Sequence, residues 1–191
     1  MAASASTPTL SATLVVFVSV VIAVGATTAL DQVCGGLGGY YVTPELCVSA
    51  LCPDPSPSSP CRAARDAPAV AAVAARLAAA NATAARDSVQ AALSFYAAAA
   101  GDDDAAAGKK AALRSCLQLY GGVVQALQWA AGSVAAGRFP GAREVMQAAQ
   151  YVPAGCDGMV GGGVALPSEN EGFATMAFVA HAVLATLSNG Y

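Results

Sequence analysis

The sequence predicts an all-α protein: an up-down-up-down four-helix bundle stabilised by disulfides. Three observations carry this. The 191 residues are 56% hydrophobic but only 6% aromatic, and the hydrophobic class is dominated by alanine, the strongest helix former and one that adds little core volume. Beyond the N-terminus no run of Val, Ile, Thr or Tyr alternates with period two, so strand signals are missing. Six cysteines, an even number, all follow an apolar leader, which in an oxidising compartment implies a disulfide framework.

The leader comes first. Leu14 to Val24 is an apolar run of signal-peptide length, and Val24-x-Ala26 or Thr27-x-Ala29 supplies the small residues that signal peptidase needs. The run is short for a membrane span, which takes about 20 apolar residues. No charged side chain precedes Asp31, so an uncleaved anchor from Leu10 to Leu30 is the alternative. Residues 1–26 are read as a signal peptide and residues 27–191 as one helical domain.

In CGGLGGYYVTPELC, Cys34 to Cys47, Thr43 suits a helix N-cap, Pro44 the first helical position and Glu45 the positive end of the helix dipole. A Cys34–Cys47 bridge would tie the incoming segment to that helix and close a loop worth roughly 3 kcal/mol. In CPDPSPSSPC four prolines exclude a regular helix, and Cys52 and Cys61 are expected to close this loop on each other. Ser59-Pro60 is a further helix start.

Four long helices follow. The first runs from about Asp66 to Ala99, with Val70, Val73 and Leu77, then Val89, Leu93 and Tyr96, as apolar teeth. The two halves do not share a straight stripe, so a bend or a register shift is expected. Gly101 to Lys110 reads as a charged linker. In the second helix Leu113, Leu117, Tyr120, Val124, Leu127, Ala131 and Val134 alternate steps of four and three, a bundle seam ending near Gly137. The third is short: Ala142, Val145, Met146, Ala149 and Val152, stopped by Pro153. Gly158 to Gly163 reads as a connector. The fourth opens on Ser168 to Glu171 as a capping box, and Phe173, Ala177, Ala180, Leu184 and Leu187 form its stripe. Short links favour up-down-up-down topology. Cys116 flanks the seam of the second helix and Cys156 lies past the third, so a bridge between them would pin the shortest helix to its neighbour, a constraint worth roughly 4 kcal/mol.

No catalytic set is visible. His181, the only histidine, reads as a helix-face residue without a nucleophile to serve. Asp102, Asp103 and Asp104 are consecutive and point apart, as in a solvated linker. The glycines at 158–163 lack a following Gly-Lys-Ser/Thr, so they are not a phosphate loop. With no CxxC and one histidine, no metal site is expected, and no cofactor is implied. A net charge of −3 with scattered cations excludes a nucleic-acid partner. Asn81-Ala82-Thr83 is an N-glycosylation sequon. GRFPGARE, Gly137 to Glu144, sets a cation, an aromatic and a proline between the second and third helices.

The chain resembles the plant invertase and pectin methylesterase inhibitors. The likeness covers nearly all of residues 27–191 and is carried by Cys34 to Cys47 with Thr43-Pro44-x-x-Cys47, then Leu51; Cys116-Leu117-Gln118-Leu119-Tyr120 with a Val-x-x-Leu pattern on the same helix; Ala148-Ala149 before Cys156-Asp157; and Leu166-Pro167-Ser168-Glu169-Asn170 ahead of Ala180-His181-Ala182-Val183. It implies a four-helix bundle with an N-terminal hairpin and two disulfides, Cys34–Cys47 and Cys116–Cys156. The Cys52–Cys61 bridge lies outside that four-cysteine pattern and rests on the loop itself. Invertase inhibitors of this family carry a Pro-Lys-Phe motif, which enters the invertase active site, near the position of Arg138-Phe139-Pro140. The order differs here, but Arg138 could pair with catalytic carboxylates and Phe139 could stack on a sugar-binding aromatic.

The resemblance implies a secreted, monomeric, non-enzymatic inhibitor in the apoplast, cell wall or vacuole. Its partner would be an acid invertase (beta-fructofuranosidase), whose cleft it blocks one to one, or alternatively a pectin methylesterase. Outside the family, the chain could be a secreted ligand-binding bundle, or a membrane-anchored or cell-wall structural protein.

Overall fold

The computed structural model describes residues 27–99, 104–161 and 164–188. The expected signal peptide, most of the alternative Leu10–Leu30 anchor, Asp102, Asp103, Gly162 and Gly163 lie outside them.

The hairpin forms as two short helices. α1, Ala29–Gly35, opens on a capping box absent from the sequence expectations: the Thr28 hydroxyl accepts from the Asp31 amide at 3.2 Å, and the Asp31 carboxylate accepts from the Thr28 amide at 3.1 Å. A 3-10 turn, Leu37–Tyr40, and left-handed Tyr41 lead into α2, Pro44–Leu51. Thr43 caps α2 by accepting from the Leu46 amide at 3.2 Å, and Pro44 takes the first helical position. Cys34 and Cys47 are bridged, their Cα atoms 5.5 Å apart. α3, Pro60–Ala63, carries Cys61, which is bridged to Cys52.

α4, Ala67–Ala99, is capped by Asp66, which accepts from the Ala69 amide at 2.8 Å. It is a single helix. Its stripe is carried across the middle by alanines: Ala71, Ala74, Ala75, Ala78, Ala82 and Ala85 are buried between Val70 and Val89. The register shift suggested by the large residues alone is therefore filled by the smallest side chain that still packs.

α5, Asp104–Ala135, begins earlier than expected. Residues 104–110 belong to this helix rather than to a linker, since three alanines with strong helix propensity outweigh Gly108. Its seam residues Leu113, Tyr120, Val124, Leu127 and Val134 are buried as predicted.

The third bundle helix is two in tandem, α6, Pro140–Ala149, and α7, Tyr151–Val160, joined at Gln150. Pro153 therefore does not end the helical run. It sits in the first turn of α7, where backbone N–H groups have no helical partner to lose. Cys156 and Gly158 are inside α7, not past it, and the helix stops at Gly161 in the left-handed region, φ 56°. α8, Ser168–Ser188, starts at Ser168 itself, whose hydroxyl approaches Glu169 at 3.5 Å. The expected box with Ser168 as cap and Glu171 reaching back gives way to this arrangement.

α4 packs against α5 and α8, α5 against α6 and α7, and α6 against α8, which closes the ring of an antiparallel bundle. α1 and α2 cover the α4 and α8 edges. α8 is consequently buried on more than one side, at Phe173, Met176, Val179, Ala180, Val183 and Leu184. By length and hydropathy α4 and α8 could each cross a membrane; here much of their apolar surface lies inside the bundle.

Candidate partner-docking face

The α5–α6 connection is built by its backbone. Gly137 adopts φ 74°, its amide donates to the Val134 carbonyl at 2.9 Å, and the Arg138 amide donates to the Ser133 carbonyl at 2.9 Å. This is a Schellman closure, which needs a left-handed residue just past the helix. It turns the chain so that Arg138 is exposed while Phe139 is only 6% exposed and belongs to the core. Pro140 is exposed and opens α6, with its preset φ at a position that needs no amide donor. Of the three residues singled out in the sequence, Arg138 and Pro140 are presented to solvent and Phe139 anchors the turn.

Beside this turn lies an apolar face. Among the described residues six large apolar side chains are exposed, and four belong to α5 and α7: Leu119 (37%), Trp129 (56%), Tyr151 (70%) and Met159 (38%). The helices run antiparallel, so Trp129 lies over the start of α6 and Leu119 beside α7. A Cβ at Gly141 would stand 3.2 Å from the Trp129 ring, and one at Gly155 would stand 3.5 Å from Leu119. Between them runs a groove of about 260 Å³ lined by Leu119, Val123, Ala126, Val145, Ala148 and Val152. Val152, Gly155 and Met159 follow the i, i+3, i+7 spacing of one helix face. None of the four exposed residues was singled out in the sequence as a surface residue, and only Leu119 was named, within the Cys116–Tyr120 motif. The available signal was their position off the α5 seam: large apolar residues that the bundle does not use.

The third disulfide stiffens this face. Cys116 of α5 and Cys156 of α7 are bridged with Cα atoms 5.0 Å apart. Below it the buried Tyr120 hydroxyl donates to Asn170 Oδ1 at 2.7 Å, and Asn170 Nδ2 reaches Asp157 Oδ1 at 3.3 Å and the Pro153 carbonyl at 3.4 Å. One side chain of α8 thus joins α5 and α7. Burial, with the Asp157 carboxylate as a smaller contributor, pushes the Tyr120 phenol well above its usual range, so it remains a donor.

His181 meets the edge of the Tyr40 ring at 6.4 Å between centroids. Burial, with Arg143 adding to it and Glu144 opposing, holds its pKa below the usual histidine value. No group of three or more metal-ligating side chains occurs among the described residues. Asn81 lies half-exposed on α4, away from the face just described.

Comparison with known families decides what this bundle is. The family described as plant invertase/pectin methylesterase inhibitor matches residues 28–183. The chain belongs to that family. Its members are inhibitors rather than enzymes, are typically extracellular, and have an enzyme of the invertase or pectin methylesterase kind as partner. Comparison with curated proteins and with solved structures found no match. The match spans the bridged hairpin and all four bundle segments, so the face on α5 and α7 is a surface of the inhibitor domain itself.

Proposed function

We propose that the chain is a secreted, monomeric inhibitor of a plant carbohydrate-active enzyme, acid invertase in the first instance, and that it docks through the α5–α6/α7 face. The observation that carries this reading is the exposure of Leu119, Trp129, Tyr151 and Met159 on α5 and α7, with Trp129 over the start of α6 next to the turn that presents Arg138. Aromatic and arginine side chains dominate the binding energy of protein interfaces, and this surface offers them on helices already fixed by a bridge and a buried hydrogen-bond network. The Schellman turn holds the backbone of Arg138. A glycosidase cleft with paired carboxylates is a fitting receiver. Residues 1–26 supply the export signal in this reading, and no cofactor is involved.

The burial of Phe139 favours the second reading, pectin methylesterase. A side chain held in the core is not available to stack on an invertase aromatic, and Arg138 with Pro140 makes a less specific tip.

The test is a paired inhibition assay. Residues 27–191 with intact bridges are mixed with an acid invertase and with a pectin methylesterase, at mildly acidic and neutral pH. Stoichiometric loss of invertase activity is expected. Trp129→Ala with Tyr151→Ala should weaken inhibition by about 30-fold or more, the effect of losing interface hot spots, with helicity unchanged. Inhibition of the methylesterase alone would transfer the assignment to the second reading, and no effect on either enzyme would overturn the inhibitor assignment.

A further inference from the structure

The Asn81-Ala82-Thr83 triplet is not used by the docking face, and the bundle leaves it accessible. Asn81 lies beside the buried stripe of α4 rather than in it, and it borders a groove of about 310 Å³ with Pro53, Leu77, Thr175 and Met176. This groove is on the α2/α4/α8 side. In the ring of helices that side is opposite α5 and α6/α7. Asn81 Nδ2 donates one hydrogen to the Leu77 carbonyl at 2.9 Å. A primary amide carries two, so one remains to be replaced by a substituent. Thr83, which makes the triplet an acceptor, is also outside the core, its hydroxyl donating to the Ala79 carbonyl at 2.8 Å.

We propose that Asn81 carries an N-linked glycan whose first sugar lies in this groove, leaving the α5–α6/α7 face as the uncovered side of the molecule. The inference rests on the secretion reading, because the transfer occurs only in the secretory lumen. There Nδ2 attacks the anomeric carbon of a lipid-pyrophosphate-linked oligosaccharide. The new N–C bond forms as the C–O bond to the pyrophosphate breaks, the lipid pyrophosphate leaves, and Nδ2 gives up one proton to a base of the transferase. Transfer precedes folding, since in α4 both the Asn81 amide and the Thr83 hydroxyl are engaged by backbone carbonyls one turn back. The folded state then has to accommodate the sugar. The groove offers the space, lined by the half-exposed Leu77 and Thr175 with Met176 at its base.

The full chain with its own leader would be expressed in plant cells. Its mass would be measured before and after a peptide-N-glycosidase active on plant glycans, alongside Asn81→Gln and Thr83→Ala. The wild type should lose mass on treatment, with Asn81 converted to aspartate, and neither variant should shift. An unshifted wild type recovered outside the cell with its leader removed would overturn the glycan while leaving secretion intact. A chain retained in the cytosol with an intact leader would overturn both. Glycosylated protein should inhibit its target as well as the Asn81→Gln variant does; inhibition weaker by tenfold would refute the placement of the glycan away from the partner.

Discussion

The Tyr120–Asn170 hydrogen bond is expected to be the strongest single polar tie in the bundle, and a double-mutant cycle measures it. Both side chains are buried, the bond is 2.7 Å long, and it joins α5 to α8. Tyr120→Phe removes the donor and leaves Asn170 Oδ1 without it. Asn170→Ala leaves the Tyr120 hydroxyl buried without its acceptor and also removes the longer contacts to α7 at 3.3 and 3.4 Å. An unpartnered buried polar group costs about 1–3 kcal/mol, so Tyr120→Phe should cost about 1 kcal/mol and Asn170→Ala about 2–3. At this chain length each kcal/mol lowers Tm by roughly 2–4 °C. The double variant buries no orphaned partner from this pair, so it should be less destabilised than the sum of the singles by about 1 kcal/mol or more. The assay is urea and thermal unfolding followed by far-UV circular dichroism. Additivity of the two substitutions within about 0.4 kcal/mol, the tolerance for independent sites, would refute the reasoning.

Other outcomes are expected from the same structure. Replacing each cysteine pair by alanine should destabilise in the order Cys116–Cys156, Cys34–Cys47, Cys52–Cys61, following sequence separations of 40, 13 and 9; the chain-entropy estimates are about 4, 3 and 2.5 kcal/mol, and denaturant midpoints check them. His181 has a folded pKa below its unfolded one, so its contribution is complete above about pH 6.5 and declines as pH falls from there through the folded value. A His181→Phe variant should lose that part of the stability profile, whereas the decline from Asp31, whose carboxyl is held low chiefly by the Thr28 hydroxyl, begins only below its ordinary value of 3.8. Tyr120 behaves in the opposite sense: its raised pKa gives stability that is full below about pH 10 and lost above it, so Tyr120→Phe should flatten alkaline unfolding curves. Trp129 is the only tryptophan, so its emission should shift to the blue when the target enzyme covers the α5–α6/α7 face. An unchanged spectrum at saturating enzyme would place the interface elsewhere.

The parts of the fold that could be read from the sequence were those written in large residues. The α5 seam from Leu113 to Val134 and the Thr43-Pro44 start of α2 follow directly from side-chain spacing and capping chemistry. The extent of α4 was legible, but the continuity of its stripe was hidden because that stripe is alanine, which a pattern of large apolar teeth passes over. α7 was hidden because Pro153, Gly155 and Gly158 are helix breakers in isolation. Proline is tolerated in a first turn, and the two glycines are carried inside α7. The Arg138–Pro140 turn was visible as a turn, but whether Phe139 points inward depends on the Schellman geometry set by Gly137. The exposed quartet requires knowing where α5 and α7 meet, which spacing along one helix does not contain.

The alanine stripe of α4 has a consequence for how the chain selects its alignment. Alanine gives up no rotamer freedom on burial, but it also makes no distinctive knob. A shift of α4 along α5 and α8 would set methyl group against methyl group over much of its length. The correct alignment must then be chosen at the ends and by the few larger contacts. Val70, Val73 and Val89 are the bulkier buried residues on this helix, and Asp66 with the Cys52–Cys61 bridge fixes where it begins. The proline-rich loop that this bridge closes thus acts as an index mark for a helix whose own surface is nearly featureless.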